Sequence, residues 1–394
     1  MDFSYESDDT VRQELREFLD RELPDSMRDS GFGWDYDRDF NIAFTSWQEE
    51  HLGDASDADL DAFADELFWA NLDLRTTGPT GLVAKILSIV GTDEQKTEYL
   101  PKFVGGGSLI CLGYTEPDSG SDVASASTRA IRDGDEWVIN GQKMYTSLAG
   151  ISDYVFLLTR TSTEVPKHKG LTMFIVPLTA PGVEVKPIET LRGHPTYMTY
   201  YTDVRVPDST RVGDVDGGWA VMRVSLDAEH SAGEKIALEA RLLTAVGWGN
   251  RLNHLLKRTV LWAQTARTED GIRMIDDPMM RRALARIAID VEIIRLLTGR
   301  NDADATKPGV GNGTKLFQTE AYVRATSSLL EIAGPIGLLE FTSGAAAAEG
   351  WIEYSFRDAP VTTIAGGSSE VQRDIIAERR LGLPTSRRAA SKSA

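Results

Sequence analysis

One cysteine in 394 residues, Cys111, leaves no partner for an intrachain disulfide and rules out a zinc cage built on thiolates. Histidine is nearly as scarce, and five scattered imidazoles give a metal site little to work with. Basic residues are outnumbered, 42 Lys and Arg against 60 Asp and Glu. The resulting net charge of -18 excludes a general nucleic-acid binder, because a phosphate backbone needs clustered cations. No stretch approaches the roughly 18 uninterrupted apolar residues that a membrane-spanning helix needs. The opening "MDFSYESDDTVRQELREFL" is acidic and amphipathic, the reverse of a basic-then-apolar signal peptide, so a cytoplasmic protein is expected.

What is present is ordinary for a globular enzyme: 41% apolar and 26% charged residues, in a chain long enough for two or three packed domains. Val11, Leu15, Phe18, Leu19 and Leu23 form a helical stripe, with Ser7 and Asp8 placed to cap it. Leu60, Phe63, Leu67 and Phe68 repeat the period, as does the run ending at Gly91, and "GGG" at 105–107 closes the helical part. "DSMRDSGFGWDYDRDF" has no period and reads as loop. Next come β-branched and aromatic runs, "YVFLLTR", "LTMFIVPL" and "YMTYYTDVRVP", with "GDEW" and "PGVEV" as turn chemistry. From Gly217 the helical period returns, with Leu284, Ile287, Val291 and Ile294 marking a long stripe, and "NDADATKPGVGNG" at 301–313 reads as loop. There is no internal repeat. The expected boundaries are a helical domain at 1–108, a β domain at 109–215, a helical bundle at 216–384 and a disordered tail at 385–394.

Two stretches carry chemistry. "GYTEPDSGSDVAS", residues 113–125, offers backbone N–H groups and small hydroxyls at Thr115, Ser119, Gly120 and Ser121. Such a loop suits an anion or a heteroaromatic edge, though a plain turn has the same composition. In "INGQKMYTS", residues 139–147, Tyr145 is followed by Ser147. An aromatic beside a hydroxyl can brace a flat ring and hydrogen-bond one of its nitrogens. At the C-terminus "TIAGGSSEVQR", residues 363–373, reads as the mouth of a helix, where free N–H groups favour anions.

These stretches, with "GTDEQKTEYLPKFVGGG", "TYYTDVRVPDSTRVGDVDGGW" and "FRDAPVTTIAGGSSEVQRDIIAERRLGLP", resemble the acyl-CoA dehydrogenase family over nearly the whole chain. The resemblance implies an α+β multidomain fold: an N-terminal helical domain, a β-barrel-like middle domain and a C-terminal four-helix bundle. It also implies FAD, held between the middle and C-terminal domains and across a subunit interface. Carried over by position, Thr115 meets the flavin pyrimidine edge, and Gly120 and Ser121 lie near the pyrophosphate and the pantetheine. Tyr145 stands where the family usually packs Trp on the flavin, and Ser147 where a hydroxyl bonds flavin N5. Ser368 and Glu370 take positions that contact the adenosine end, although a first-turn acid favoured by the helix dipole explains Glu370 equally well.

Where many relatives carry the catalytic glutamate, this chain has Gly366. A subset typified by isovaleryl-CoA dehydrogenase has glycine there and draws its base from an earlier helix, and Glu229 in "SLDAEHSAGEKIA" falls on that position. A carboxylate must approach Cα opposite the flavin ring, and the backbone route by which it arrives is immaterial. The Gly366 N–H then remains to polarise the thioester oxygen. His230 replaces the Arg of the usual pattern, the "GW...P..YGG" segment of the helical domain is missing, and the Arg-x-x-Phe-Gly that reaches a neighbouring subunit's FAD is replaced near "TARTEDGIRMIDDP". Within the family the chain looks most like actinobacterial members acting on bulky thioesters such as sterol side chains, which assemble as heterotetramers. The implied partners are an acyl-CoA, an electron-transfer flavoprotein and further subunits of a homo- or heterotetramer. Two alternatives stay open: a partner subunit without its own base, and an oxidase that passes electrons to oxygen.

Overall fold

The computed structural model describes residues 9–29, 36–72, 77–227, 242, 247–303 and 310–384. The chain divides into two compact units, Met1–Ala245 and Val246–Ala394. No helix among the described residues is long and apolar enough to cross a membrane.

The first unit begins with α1 (Asp9–Glu22), α2 (Asp25–Asp29), α3 (Arg38–Leu52), α4 (Asp57–Trp69), α5 (Gly78–Val90) and α6 (Asp93–Val104). The stripe from Val11 to Leu23 is buried, and the Phe18 ring lies 5.8 Å from both Phe44 and Trp47. Glu66, also buried, accepts hydrogen bonds from Arg12 Nη1 at 2.9 Å and Arg16 Nε at 2.6 Å, which ties α1 to α4. Capping boxes open α4 (Ser56 with Asp59) and α6 (Thr92 with Gln95), each satisfying two end N–H groups.

The segment expected to be loop over 25–40 instead carries α2 and the first turn of α3, where the Asp37 side chain accepts from Phe40 N at 2.8 Å. A five-residue helix is too short to display a 3.6-residue period. Ser7 and Asp8 lie outside the described residues.

The "GGG" closure has a conformational cause. Gly106 sits at φ +74°, and a methyl group there would lie 2.8 Å from the Asn41 carbonyl oxygen. Its own carbonyl accepts from Asn41 Nδ2 at 2.7 Å and Tyr36 Oη at 2.9 Å. Gly106→Ala is expected to destabilise this unit by about 1–3 kcal/mol, readable as a lower urea midpoint by circular dichroism.

One eight-stranded sheet follows: β1 (Ile110–Gly113), β2 (Arg129–Asp133), β3 (Glu136–Lys143), β4 (Tyr154–Arg160), β5 (Leu171–Pro177), β6 (Val183–Ile188), β7 (Thr196–Pro207) and β8 (Arg211–Val212). Its order is β6-β7-β3-β2-β4-β5-β8, with β1 pairing parallel to β4. β4 and β5 are continuous apolar runs because both of their faces are covered. Phe156, Leu158, Met173 and Ile175 pack with Val83, Leu87, Tyr99 and Phe103 of α5 and α6, whereas Val155, Leu157, Phe174 and Val176 pack with Trp137, Ile139 and Tyr201. Edge strand β6 alternates and tolerates Pro187. α7 (Gly218–Asp227) then packs on β5 and α5.

In the second unit α8 (Trp248–Thr265), α9 (Pro278–Ala303), α10 (Val310–Ala333) and α11 (Trp351–Thr362) pack on one another, followed by the short α12 (Ser369–Ile375). Leu284, Ile287 and Ile294 are buried, as the stripe implies. The expected loop over 301–313 is shorter than its composition suggests, since α9 runs through Ala303 and α10 starts at Val310. The interior holds charge: Arg251 Nη1 lies 3.5 Å from Asp358 Oδ2, and Arg258 Nε donates to His254 Nε2 at 2.6 Å. Burial first, then the neighbouring cations Arg258, Lys257 and Arg251, push His254 down to about 2 and keep it neutral. Glu229 and the tail 385–394 lie outside the described residues.

Candidate active site

Beyond β1 the chain leaves the sheet and folds back on itself: Glu116 N donates to Ser119 O and Ser119 N to Glu116 O, both at 3.0 Å. Ser119 is buried, and its hydroxyl donates to Asp122 O at 3.0 Å. Pro117 and Asp118 form the exposed tip of this reversal, and Gly120 and Ser121 just after it are exposed too, with open space where a Gly120 side chain would be. Arg160, at the end of β4, supports the far side by donating to Ala124 O at 2.5 Å and Ala126 O at 3.1 Å.

A buried ion pair holds this loop to β3. Lys143 Nζ lies 2.8 Å from Glu116 Oε1, with side-chain exposures of 0% and 3%, and also donates to Tyr114 O at 3.1 Å. Glu116 accepts further from Ser127 N at 2.7 Å, Ser127 Oγ at 2.6 Å and Thr128 N at 2.8 Å. Burial alone would raise the Glu116 pKa, but Lys143 and these donors outweigh it and hold the carboxyl at about 2. Burial draws Lys143 down to about 8, a change that Glu116 partly offsets, so both partners are charged at neutral pH.

Sequence reasoning assigned neither residue a role. The signal was the period of two: Trp137 and Ile139 face inward, and Lys143 continues the same parity across a bulge at Gly141.

Two residues past this pair stands Tyr145, 58% exposed and at φ +58°. A left-handed tyrosine is uncommon and signals a constraint from its surroundings. Three bonds impose it: Met144 N donates to Thr115 O at 2.8 Å, Thr146 N to Tyr197 O at 3.0 Å, and Ser147 N to Tyr145 O at 2.9 Å. Ser147 Oγ is 3.2 Å from Thr196 Oγ1. Backbone hydrogen bonds thus bring the Thr115, Tyr145 and Ser147 segments together, with Tyr145 exposed, while Ser121 is exposed on the loop that follows the 116–119 reversal.

A second cluster belongs to the second unit. Gly366 and Gly367 take φ +70° and +94°, with open space around Gly366. Ser368 is the N-cap of α12, its hydroxyl accepting from Val371 N at 3.3 Å. Glu370 is exposed, and its own backbone N–H, then the Ser368 hydroxyl, hold its carboxyl below the usual range. Lys315 and Gln372, which the sequence reading passed over, both bond to the glycine turn.

Comparison with known proteins matches this architecture. The family described as "Acyl-CoA dehydrogenase, middle domain" covers residues 111–204, and "Acyl-CoA dehydrogenase, C-terminal domain" covers 233–381. The chain is 37% identical over 317 residues to acyl-CoA dehydrogenase FadE26 of Mycobacterium tuberculosis, spanning 78% of this chain and 76% of that protein. Among solved structures, the ChsE4-ChsE5 complex of Mycobacterium tuberculosis matches with a TM-score of 0.81 and 32% identity, over 98% of this chain and all (100%) of that one. The Tcur3481-Tcur3483 steroid ACAD matches with a TM-score of 0.80 and 35% identity, over 98% and 100% of the two chains. Helices, then a β-sheet domain, then a helical domain compose the acyl-CoA dehydrogenase fold, a family of oxidoreductases that act on CH–CH bonds. The chain belongs to the acyl-CoA dehydrogenase family.

Proposed function

We propose that this protein is an FAD-dependent dehydrogenase of a bulky acyl-CoA, with Glu229 as the base. The observation that carries the reading is the exposed, left-handed Tyr145, an aromatic ring left to solvent on backbone fastened to the Thr115 and Ser147 segments. These residue types suit an isoalloxazine ring: Thr115 would hold its pyrimidine edge, Tyr145 would pack on it and Ser147 would hydrogen-bond N5. Ser121, on the exposed loop, would sit near the pyrophosphate and pantetheine, with Gly120 beside it lining the cofactor. Ser368 and Glu370 serve the adenosine end.

When bound, FAD supplies a hydride acceptor. The chain's own residues do the rest. Glu229 removes the α proton, and a carboxylate beside an acyl chain has the raised pKa that this step requires. The Gly366 N–H donates to the thioester oxygen as negative charge develops there, since no side chain at this position obstructs the approach.

An electron-transfer flavoprotein is the assigned electron acceptor. The matches to complexes of two different chains support a heterotetramer in which this chain carries the base, and the steroid dehydrogenase among them supports a sterol-derived thioester.

The test is the visible spectrum of the purified chain, alone and co-expressed with a partner chain, during anaerobic titration with short, branched and steroid acyl-CoAs. Flavin absorbance should bleach with the bulky thioesters. A chain that binds no flavin in either preparation, or whose flavin stays oxidised with every thioester, defeats the reading, and stoichiometric peroxide in air would mark an oxidase instead.

A further inference from the structure

Two consecutive glycines in the left-handed region form the least self-supporting backbone a chain can have, because no side chain restricts them. The turn at Gly366 and Gly367 is nevertheless held on one side by three polar contacts. Gln372 Nε2 donates to Gly366 O at 2.9 Å and to Gly367 O at 3.3 Å, and Lys315 Nζ donates to Gly367 O at 2.6 Å. Gln372 is buried, and Asn312 Nδ2 donates to its Oε1 at 2.5 Å, so only one amide orientation satisfies both ends. Asn312 and Lys315 stand three residues apart on one face of α10. Arg373 Nη2, 2.6 Å from Glu320 Oε1, fastens α12 to the same helix.

We propose that Lys315, together with Gln372, is a positioning residue that sets the Gly366–Gly367 peptide planes for thioester binding. A peptide unit is planar, so drawing the Gly366 carbonyl toward Gln372 turns the Gly367 N–H the opposite way, and drawing the Gly367 carbonyl toward Lys315 does the same for the Ser368 N–H. Among the described residues neither the Gly366 nor the Gly367 N–H donates to a backbone carbonyl. Tying back the two carbonyls aims and polarises the Gly367 and Ser368 N–H groups and fixes the backbone on the C-terminal side of Gly366, so the Gly366 N–H, in the Ala365–Gly366 peptide, is positioned through the Gly366 Cα. The space is tailored as well, since a methyl group on Gly367 would lie 2.7 Å from Gln372 Nε2. Lys315 touches no substrate in this scheme and acts through the backbone. The inference rests on the assignment of the Gly366 N–H to the thioester oxygen.

The experiment compares wild type, Lys315→Met and Lys315→Arg as full-length chains. Without acyl-CoA, hydrogen exchange of the peptide covering residues 363–371 should rise about tenfold or more in Lys315→Met and return toward wild type in Lys315→Arg, with α8 and α9 unchanged. With the bulky acyl-CoA that bleaches the wild-type flavin, carrying 13C at the thioester carbonyl, the lowered C=O stretch of the bound wild type should move back toward the free value in Lys315→Met. Its kcat should fall roughly 10- to 100-fold, less than for outright removal of an oxyanion donor, with KM changed little. Unchanged exchange over 363–371, or a rise spread evenly through the second unit, overturns the proposal. If wild type itself shows no carbonyl shift on binding, the thioester assignment of Gly366 fails, while the exchange result still decides the clamp.

Discussion

Lys143→Met lowers the unfolding midpoint of the first unit by on the order of 10 °C, because it strands a carboxylate that the fold keeps from water. Losing one partner of a buried ion pair costs about 3–5 kcal/mol, since the remaining charge keeps its desolvation penalty and loses its compensation. Glu116 retains three donors from Ser127 and Thr128, which sets the loss nearer the lower end of that range. The double variant Glu116→Gln/Lys143→Met carries no stranded charge and should recover part of the loss, a coupling that a double-mutant cycle measures.

The pH dependence follows in sign. A carboxyl whose folded pKa is depressed to about 2 contributes stability above the ordinary carboxylate range, and that contribution fades as pH falls through its folded value. In Lys143→Met the Glu116 pKa rises and acid unfolding begins at higher pH. Flavin content should drop too, because the pair joins the Thr115 loop to the strand that leads into Tyr145. Thermal melts by circular dichroism that differ from wild type by less than roughly 2 °C would show that the pair stabilises nothing.

Glu229→Gln leaves the flavin bound and its spectrum intact, yet slows its bleaching by acyl-CoA at least 10²- to 10⁴-fold, the usual contribution of a positioned general base. Glutamine keeps the size of the side chain and removes only the proton acceptor. The matching change at Glu234, nearby in the same stretch, serves as the control and should bleach at the wild-type rate. Anaerobic stopped-flow absorbance reads both variants, and a Glu229→Gln enzyme that bleaches normally assigns the base elsewhere. Loss of bleaching in both variants would mean that the segment matters for folding rather than for proton transfer.

Much of the fold is written in periodicity. The 3.6-residue stripes through Leu15 and Phe18, and through Leu284 and Ile287, mark helices that bury those same residues. The runs "YVFLLTR" and "LTMFIVP" mark strands, and their lack of alternation already reflects two covered faces. Short elements escaped, as at Asp25–Asp29, where five residues carry no period to detect. Helix ends also escaped: Ala303 and Val310 belong to helices that composition alone assigns to loop. The Thr115 and Tyr145 stretches stood out as a small polar loop and as an aromatic beside a hydroxyl, and the roles proposed for them came from the family resemblance.

By itself the sequence determined the long helices and strands, which of their faces are apolar and which family they compose, since these depend on residues near one another along the chain. Only the tertiary structure decided that Glu116 meets Lys143 across 27 positions, or that Lys315 closes on a glycine turn 52 residues away. The reason is physical: a charge reads as solvated until packing removes the water around it, and its partner is chosen by the folding of distant segments rather than by any local pattern.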